Sequence, residues 1–173
     1  MLFGRELLID RSDFELDPPD GFFRLFPGGS VRLKYGFIVD FEDVVLDAEG
    51  QVSEVHVRYD PATRSGQDQS GRKVKGTIHW VHEASAREVD VRLYDRLFTV
   101  PDPGNYEDPA SVMNPESLID GQALVEPALG TLMPDAYFQF ERVGFFKQDP
   151  ESSDDRIVYN RSVTLKDAWA RKK

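Results

Sequence analysis

The feature that most constrains the fold is the alternation of residue types over residues 31–37. Apolar or aromatic residues fill the odd positions, and Arg32, Lys34 and Gly36 fill the even ones. This is the period-two pattern of a β-strand with one buried face and one presented face. Turn-forming residues 47–50 separate two further apolar runs, which predicts a β-hairpin. Other strands are predicted over residues 3–9, 74–81, 89–98, 117–125, 136–146 and 156–165.

Helical signals are few and short. We predict helical turns over residues 12–16, with Ser12 as the N-cap, over 109–113 and over 165–171. Many short strands separated by Gly, Pro and Asp turns are typical of antiparallel barrels or sandwiches and not of a parallel α/β sheet. The pattern therefore predicts an all-β chain.

Composition limits the partners of the chain. Its 173 residues include 31 Asp and Glu against 21 Lys and Arg, a formal net charge of -10. Such a field repels nucleic acid and anionic membranes unless the cations cluster on one face. The absence of Cys excludes disulfides and thiolate chemistry. No apolar run approaches the roughly 20 residues of a membrane span, so we expect a soluble, cytoplasmic protein with no membrane partner.

Motifs for catalysis are absent from the sequence. Gly28-Gly29-Ser30 lacks the ending of a phosphate-binding loop and reads as a turn, and no Gly-x-Ser-x-Gly motif occurs. His79, His82 and Glu83 lie close together, but a strand would point positions three apart to opposite faces, which favours packing over zinc binding. We therefore predict no catalytic residue, no metal and no cofactor within this chain.

One stretch runs against the acidic average. Residues 21–40 contain three cations, Arg24, Arg32 and Lys34, against the single acid Asp40, and aromatic residues lie between them. Cations suit phosphates, and exposed aromatic rings suit unstacked bases. The same pattern is also typical of a sheet that buries its aromatic face and solvates its cations. The residues alone leave both interpretations open.

Five ordered segments carry a resemblance to a known family. They are Leu8-Ile9-Asp10-Arg11-Ser12-Asp13-Phe14, Gly71-Arg72-Lys73-Val74-Lys75-Gly76-Thr77-Ile78-His79-Trp80-Val81, Val91-Arg92-Leu93-Tyr94-Asp95-Arg96-Leu97-Phe98-Thr99-Val100-Pro101-Asp102-Pro103, Asn114-Pro115-Glu116-Ser117-Leu118, and Phe138-Gln139-Phe140-Glu141-Arg142-Val143-Gly144-Phe145-Phe146. In this order they resemble the C-terminal anticodon-binding region of glutaminyl-tRNA synthetase, a class I aminoacyl-tRNA synthetase. The resemblance runs from about residue 8 to about residue 169.

The resemblance implies a fold and a domain arrangement. It implies two antiparallel β-barrels of the ribosomal-protein-L25-like kind with a few short helices. A distal barrel is expected over residues 17–87 and a proximal barrel over 1–16 and 88–173. Whether the proximal barrel is complete at its N-terminal side is left open. An ATP-using catalytic domain is expected to precede this chain in the parent ligase, so the chain is expected to be a fragment.

The resemblance also implies which residues contact the tRNA(Gln) anticodon loop. Arg24 matches the family arginine that reads the third anticodon base, and Arg32 matches a family arginine at the first-base pocket. Lys34 stands in the same pocket where the family often has arginine, so it keeps the charge but loses the bidentate fork. Gln139 and Arg142 match the pair that reads the central uracil. Phe23 and Gly21 replace a family lysine and a polar residue, so the first base is the least defined of the three. Because Gln139 and Arg142 are three apart, we predict a turn or bulge before Gly144 that lets them converge.

Two alternatives to this reading stay open at the level of the sequence. One is the same module in an archaeal or eukaryotic-type glutamyl-tRNA synthetase. The other is a separate L25-like protein that binds RNA or another protein, and the acidic net charge mildly favours a protein partner. For the leading interpretation, the expected partners are the tRNA(Gln) anticodon loop and the catalytic domain of the same polypeptide, with the protein acting as a monomer.

Overall fold

The chain forms two units, each with its own strands and core. A computed structural model describes residues 2–165, and the contacts divide the chain into a first unit, Met1–Ala84, and a second unit, Ser85–Lys173. The predicted all-β class is confirmed, because the helices described are short 3₁₀ turns of three or four residues. None of the described helices is long and apolar enough to cross a membrane.

Eleven strands are described. They are β1 (Leu7–Leu8), β2 (Ser30–Leu33), β3 (Ile38–Leu46), β4 (Val52–Asp60), β5 (Thr77–Ile78), β6 (Val81–His82), β7 (Arg87–Tyr94), β8 (Leu118–Val125), β9 (Tyr137–Phe140), β10 (Gly144–Gln148) and β11 (Val158–Thr164). The 3₁₀ turns are Arg11–Asp13, Pro61–Thr63, Glu83–Ser85, Pro103–Asn105, Pro109–Val112 and Pro127–Gly130.

The first unit is built on a four-stranded sheet in the order β4-β3-β2-β5, with β1 and β6 paired separately. The predicted hairpin is confirmed as β3 and β4. Its turn is closed by Asp47, whose side-chain oxygen accepts hydrogen bonds from the backbone N–H groups of Glu49 and Gln51. Gly50 follows with φ 77°, a left-handed conformation that Gly adopts without a steric penalty.

The core of the first unit lies under β2, β3 and β5. Alternate residues of β2, Val31 and Leu33, are buried there, and Arg32 between them lies on the other face. Trp80 belongs to the same core and donates its indole N–H to the Lys34 carbonyl at 2.9 Å. The remaining buried members are Phe14, Leu25, Val39 and Ile78.

The second unit contains a five-stranded sheet in the order β8-β7-β11-β10-β9. Strand β11 lies in the middle, antiparallel to β10 and parallel to β7. Residues of β10 alternate strictly, so that Gly144, Phe146 and Gln148 are buried whereas Phe145 is exposed. This alternation defines an inner face toward the core and an outer face, on which Phe145 lies opposite Gln139 of β9.

A polar network lies inside the second core. The buried Gln148 side chain accepts a hydrogen bond from the Met133 backbone N–H at 2.6 Å and donates to the Thr131 carbonyl and to the Tyr159 hydroxyl. The Tyr159 hydroxyl donates in turn to the Leu129 carbonyl at 2.8 Å. Burial raises the pKa of Tyr159 above its ordinary value, as expected for a phenol whose anion would be poorly solvated.

Several local predictions need correction. The sheets are mixed and not purely antiparallel, because β2 pairs parallel to β5 and β7 pairs parallel to β11. The turn predicted over 12–16 is a 3₁₀ turn over Arg11–Asp13 that begins after Asp10, so Ser12 is not its N-cap. The strand predicted over 3–9 is reduced to β1. The helix predicted over 165–171 lies, apart from Leu165, outside the described residues.

The boundaries of the two predicted barrels stay predictions. The ladders within residues 2–165 leave β8 and β9 as edges of one sheet and β4 and β5 as edges of the other, and barrel closure is not established by them. The assignment of residues 17–87 to a distal barrel, and of 1–16 and 88–173 to a proximal one, likewise stays a prediction.

Candidate nucleic-acid interface

The five predicted contact residues are divided between the two units. Arg24, Arg32 and Lys34 belong to the first unit, and Gln139 and Arg142 belong to the second.

The orientation of the Arg24 side chain is fixed by contacts to Ser12 and Asp13. Its Nε lies 3.2 Å from a carboxylate oxygen of Asp13, a side chain with no exposed surface, while 39% of the Arg24 side chain is exposed. One Nη1 hydrogen is donated to the Ser12 carbonyl at 2.6 Å. The Leu25 backbone N–H donates to the Asp13 carbonyl at 3.0 Å, which fixes the two segments side by side. Arg24 is therefore oriented by a buried acid and still faces solvent.

Arg32 lies on the face of β2 opposite the core, as the alternation predicted. Its guanidinium donates to the Thr63 carbonyl at 2.7 Å and to the Asp68 carboxylate at 2.6 Å. Both partners belong to the segment that follows β4. This predicted contact residue is therefore already occupied by the protein's own loop.

The Asp68 carboxylate is also held in place by hydrogen bonds from a residue other than Arg32. One of its oxygens accepts hydrogen bonds from the Ser70 backbone N–H at 2.9 Å and from the Ser70 hydroxyl at 2.7 Å. These two bonds, followed by the one from Arg32, lower the pKa of Asp68 below its ordinary value. At neutral pH the carboxylate is charged and competes with any phosphate or base edge for Arg32.

Lys34 lies in a turn and not in the strand that the alternation predicted. The Leu33 N–H donates to the Phe37 carbonyl and the Gly36 N–H donates to the Leu33 carbonyl, each at 2.8 Å, which closes a tight turn after β2. Tyr35 adopts φ 58° there and is 69% exposed. The alternation had predicted that Tyr35 lies on the buried face, and this prediction was wrong. The Lys34 ammonium lies 5.0 Å from the centre of the Tyr35 ring.

Gln139 and Arg142 flank a hairpin turn. Gln139 lies on the exposed face of β9, opposite Phe145 of β10. Arg142 follows in the turn between these strands, with φ 69°, and the Val143 N–H donates to the Phe140 carbonyl at 3.0 Å. The turn that the predicted convergence requires before Gly144 is therefore present. The convergence of the two side chains on one base stays a prediction.

A third arginine, Arg72, organises the first unit and was not predicted from the sequence. Arg72 contacts the Asp40 carboxylate at 2.6 and 3.2 Å and the Asp60 carboxylate at 2.8 Å. These bonds raise the pKa of Arg72. The pKa of Asp40 is lowered, mainly by its hydrogen bonds from Arg72 and next by the one from the Ser30 hydroxyl. The only signal in the sequence was the closeness of three cations, Arg72, Lys73 and Lys75, since the acidic partners of Arg72 lie 12 and 32 positions away.

His82, one of the two histidines considered for zinc binding, packs against the N-terminal segment. His82 is in β6, opposite Leu7 of β1, and a side chain at Gly4 would overlap its imidazole ring. Gly4 therefore allows the N-terminal segment to pack closely on His82. Within residues 2–165, no group of three or more His, Asp or Glu side chains is arranged to hold a metal ion.

Comparison with known proteins shows that two family models match this chain. A family described as "tRNA synthetases class I (E and Q), anti-codon binding domain" matches residues 1–60. A second family with the same description matches residues 77–149. Together the two matches cover most of the chain, and they include Arg24, Arg32, Lys34, Gln139 and Arg142.

The curated relatives are similar over nearly the whole chain. The glutamine–tRNA ligase of Rhodopirellula baltica is 51% identical over 172 residues, which is 98% of this chain and 29% of the relative. The glutamine–tRNA ligases of Nitrobacter hamburgensis and Proteus mirabilis are 48% and 43% identical, each over 98% of this chain and 30% of the relative. The chain thus spans less than a third of the length of these relatives. The resemblance inferred from the sequence is confirmed, and the chain belongs to the anticodon-binding domain family of the class I tRNA synthetases for glutamate and glutamine.

Proposed function

We propose that this chain is the anticodon-recognition region of a glutamine–tRNA ligase. In this role it positions tRNA(Gln) for aminoacylation by an ATP-dependent catalytic domain of the same polypeptide, in the cytoplasm. The observation that carries the proposal is the alignment of 98% of the chain with glutamine–tRNA ligases at 43–51% identity. The protein is proposed to act as a monomer.

Arg24 supports the proposal by its geometry. A guanidinium has five N–H donors, and the contacts to Asp13 and Ser12 engage its Nε and one Nη1 hydrogen. Three donors then remain, on both terminal nitrogens, for a ligand. Two parallel hydrogen bonds from such a fork match the O6 and N7 acceptors of guanine. We propose that Arg24 reads the third anticodon base in this way.

The remaining predicted residues are given complementary roles. Arg32 and Lys34 contact the first anticodon base, which requires Arg32 to leave Asp68. Gln139 and Arg142 read the central uracil from the β9–β10 hairpin, where the amide of Gln139 can both donate and accept. Specificity then arises from base edges, while phosphate contacts add affinity without sequence information.

The test is binding of anticodon stem-loops that differ only at the third anticodon base. Arg24→Ala should lose about 1–3 kcal/mol of discrimination between guanine and the other bases, and Arg24→Lys should restore charge but little specificity. Arg58→Ala is the matched control, because Arg58 is 72% exposed and pairs with Glu42 on β3. It should leave discrimination unchanged.

The outcomes separate the roles of Arg24. Equal losses on every stem-loop, with a smaller salt dependence, would show a phosphate contact instead of base reading. Unchanged binding would remove Arg24 from the interface. A stem-loop of tRNA(Glu) bound more tightly than that of tRNA(Gln) would favour a glutamyl-tRNA synthetase, which the family also includes. Absence of stem-loop binding by the wild-type chain at low salt would reject the proposed function.

A further inference from the structure

An open groove in the first unit includes one of the five predicted contacts, Arg24, and otherwise lies outside them. It has a volume of about 500 Å³ and lies between residues 22–26 and 72–76, which is within the roughly 300–1,000 Å³ of small-molecule sites. Its walls are in direct contact, because a side chain at Gly76 would overlap the carbonyl oxygen of Phe23. The Gly76 carbonyl also accepts a hydrogen bond from the Arg32 N–H at 3.0 Å. Backbone contacts therefore fix the shape of the groove.

Phe23 provides an aromatic surface in this groove. It is 53% exposed, and the Lys75 ammonium lies 5.1 Å from the centre of its ring. An exposed phenyl ring gains little from water, whereas a nucleic-acid base can stack on it whatever its sequence identity. The ammonium lies over one face of the ring, so a base that stacks there moves it aside, toward a phosphate of the same nucleotide.

The cations of the groove are not equivalent. Arg72 is paired with two carboxylates, those of Asp40 and Asp60, so it braces the wall and supplies no net positive charge. Lys73 and Lys75 are exposed and alternate along the segment. The described residues that line the groove include no carboxylate. In a chain with net charge -10, this makes the groove a local site for an anion next to an aromatic ring.

We infer that this groove binds one unpaired nucleotide of single-stranded RNA. Its base stacks on Phe23, and its phosphate lies between Lys73 and Lys75, next to the base whose edge Arg24 contacts. The inference rests on the proposed function and adds to it a contact that is independent of base identity. A positively charged groove combined with an aromatic platform is the usual arrangement for single-stranded nucleic acid, and it favours RNA over an acidic protein segment.

The experiment measures binding of the tRNA(Gln) anticodon stem-loop to the full chain at about 50 and 200 mM salt. The variants are Phe23→Leu, Phe23→Tyr, Lys73→Gln and Lys75→Gln. Tyr106→Leu and Arg5→Gln are controls, because both residues are exposed and lie outside the groove. Thermal unfolding of each variant reports whether it is folded.

Phe23→Leu should weaken binding between about fivefold and hundredfold. The loss should be the same for every base at the third anticodon position and should leave the salt dependence unchanged. Phe23→Tyr should bind as the wild type does. Lys73→Gln and Lys75→Gln should each reduce the slope of log affinity against log salt by about 0.7. The two controls should change neither quantity.

The outcomes distinguish this inference from the proposed function. If Phe23→Leu binds within about twofold of the wild type while Arg24→Ala is impaired, the stacking site is rejected and the proposed function stands. The same result would favour an acidic protein segment, and not RNA, as the ligand of the groove. If Phe23→Leu fails to fold, unchanged salt slopes for both lysine variants reject the site. If the wild-type chain binds no stem-loop at low salt, the function and the inference are both rejected.

Discussion

In the first unit, the two predicted contact arginines are oriented by carboxylates, whereas in the second unit the predicted contact residues are carried on a hairpin that is positioned by packing. Arg24 is held by Asp13 and Arg32 by Asp68. Gln139, by contrast, projects from β9, whose alternate residues Phe138 and Phe140 pack on Tyr159 in the core. The difference teaches that charge substitutions should disturb recognition mainly in the first unit, and core substitutions mainly in the second.

The largest effect is expected from the core of the second unit. Gln148→Ala should lower the free energy of unfolding by about 2–4 kcal/mol, because it leaves the Met133 N–H, the Thr131 carbonyl and the Tyr159 hydroxyl without this partner. Urea unfolding followed by near-UV circular dichroism measures it. Gln122→Ala, an exposed glutamine bonded to Glu88, should cost less than about 0.5 kcal/mol. Similar costs for the two would mean that the buried hydrogen bonds of Gln148 do not stabilise the core of the second unit.

A smaller effect on recognition is expected from Asp13→Asn in the first unit. Asn keeps the size of the side chain but loses the charge that orients the Arg24 Nε. Discrimination at the third anticodon base should fall about tenfold, which corresponds to about 1.4 kcal/mol, because the guanidinium loses the ion pair that orients it. Stem-loop titration measures it, with Asp20→Asn as the exposed control. Unchanged discrimination would mean that Arg24 is oriented without its carboxylate.

The Arg72 pair with Asp40 and Asp60 predicts a dependence of stability on pH. Arg72→Met should cost about 1 kcal/mol at neutral pH, discounted because 34% of the side chain is exposed. The pKa of Asp40 is lowered in the folded state, so its contribution is present above about pH 4 and is lost as pH falls through the lowered pKa. The cost of Arg72→Met should therefore shrink at acid pH.

Trp80 in the first core reports this transition. In a Trp169→Phe background it is the only tryptophan of the chain, and its fluorescence during urea unfolding at several pH values gives the cost of Arg72→Met. The control is Arg58→Met, which removes an exposed pair with Glu42 and should cost less than about 0.5 kcal/mol. A cost of Arg72→Met that stays constant from pH 7 to strongly acid pH would contradict the ion-pair explanation.

The smallest effect is expected from releasing Arg32. Asp68→Asn removes the charge that occupies its guanidinium, and stem-loop affinity should rise by up to about fivefold, because an exposed ion pair is weak and easily replaced. Glu49→Gln, at the tip of the β3–β4 hairpin, is the control for the change in net charge. A loss of affinity in Asp68→Asn would show that the carboxylate positions Arg32 and does not compete for it.

Features that depend on residues close together in the sequence could be predicted from it. The β3–β4 hairpin and strands β7 and β8 were found, because alternation and turn chemistry are local. The alternation over 31–37 misled beyond Leu33, since hydrogen bonds between Leu33, Gly36 and Phe37 close a turn there. Tyr35 consequently leaves the strand pattern and is exposed. Residue type alone does not show where such a turn begins.

Contacts distant in sequence were not predictable from pattern. The parallel pairing of β2 with β5 joins residues 45 positions apart, and no local signal specifies it. The same holds for Asp68, which lies 36 positions from Arg32. The five contact residues themselves came from resemblance and not from periodicity. The structure adds which acids hold the first-unit arginines, and this information is contained only in the fold.

The central position of β11 has a consequence for synthesis on the ribosome. Strands β7 and β8, and later β9 and β10, can form two separate hairpins as they emerge, but β11 must enter between them before the sheet is continuous. Translation from residue 125 to residue 164 takes on the order of 2–8 s at 5–20 residues per second. During this interval one edge of β7 is unpaired, and once residue 148 has been added one edge of β10 is unpaired as well, so both are open to nascent-chain chaperones or to wrong partners.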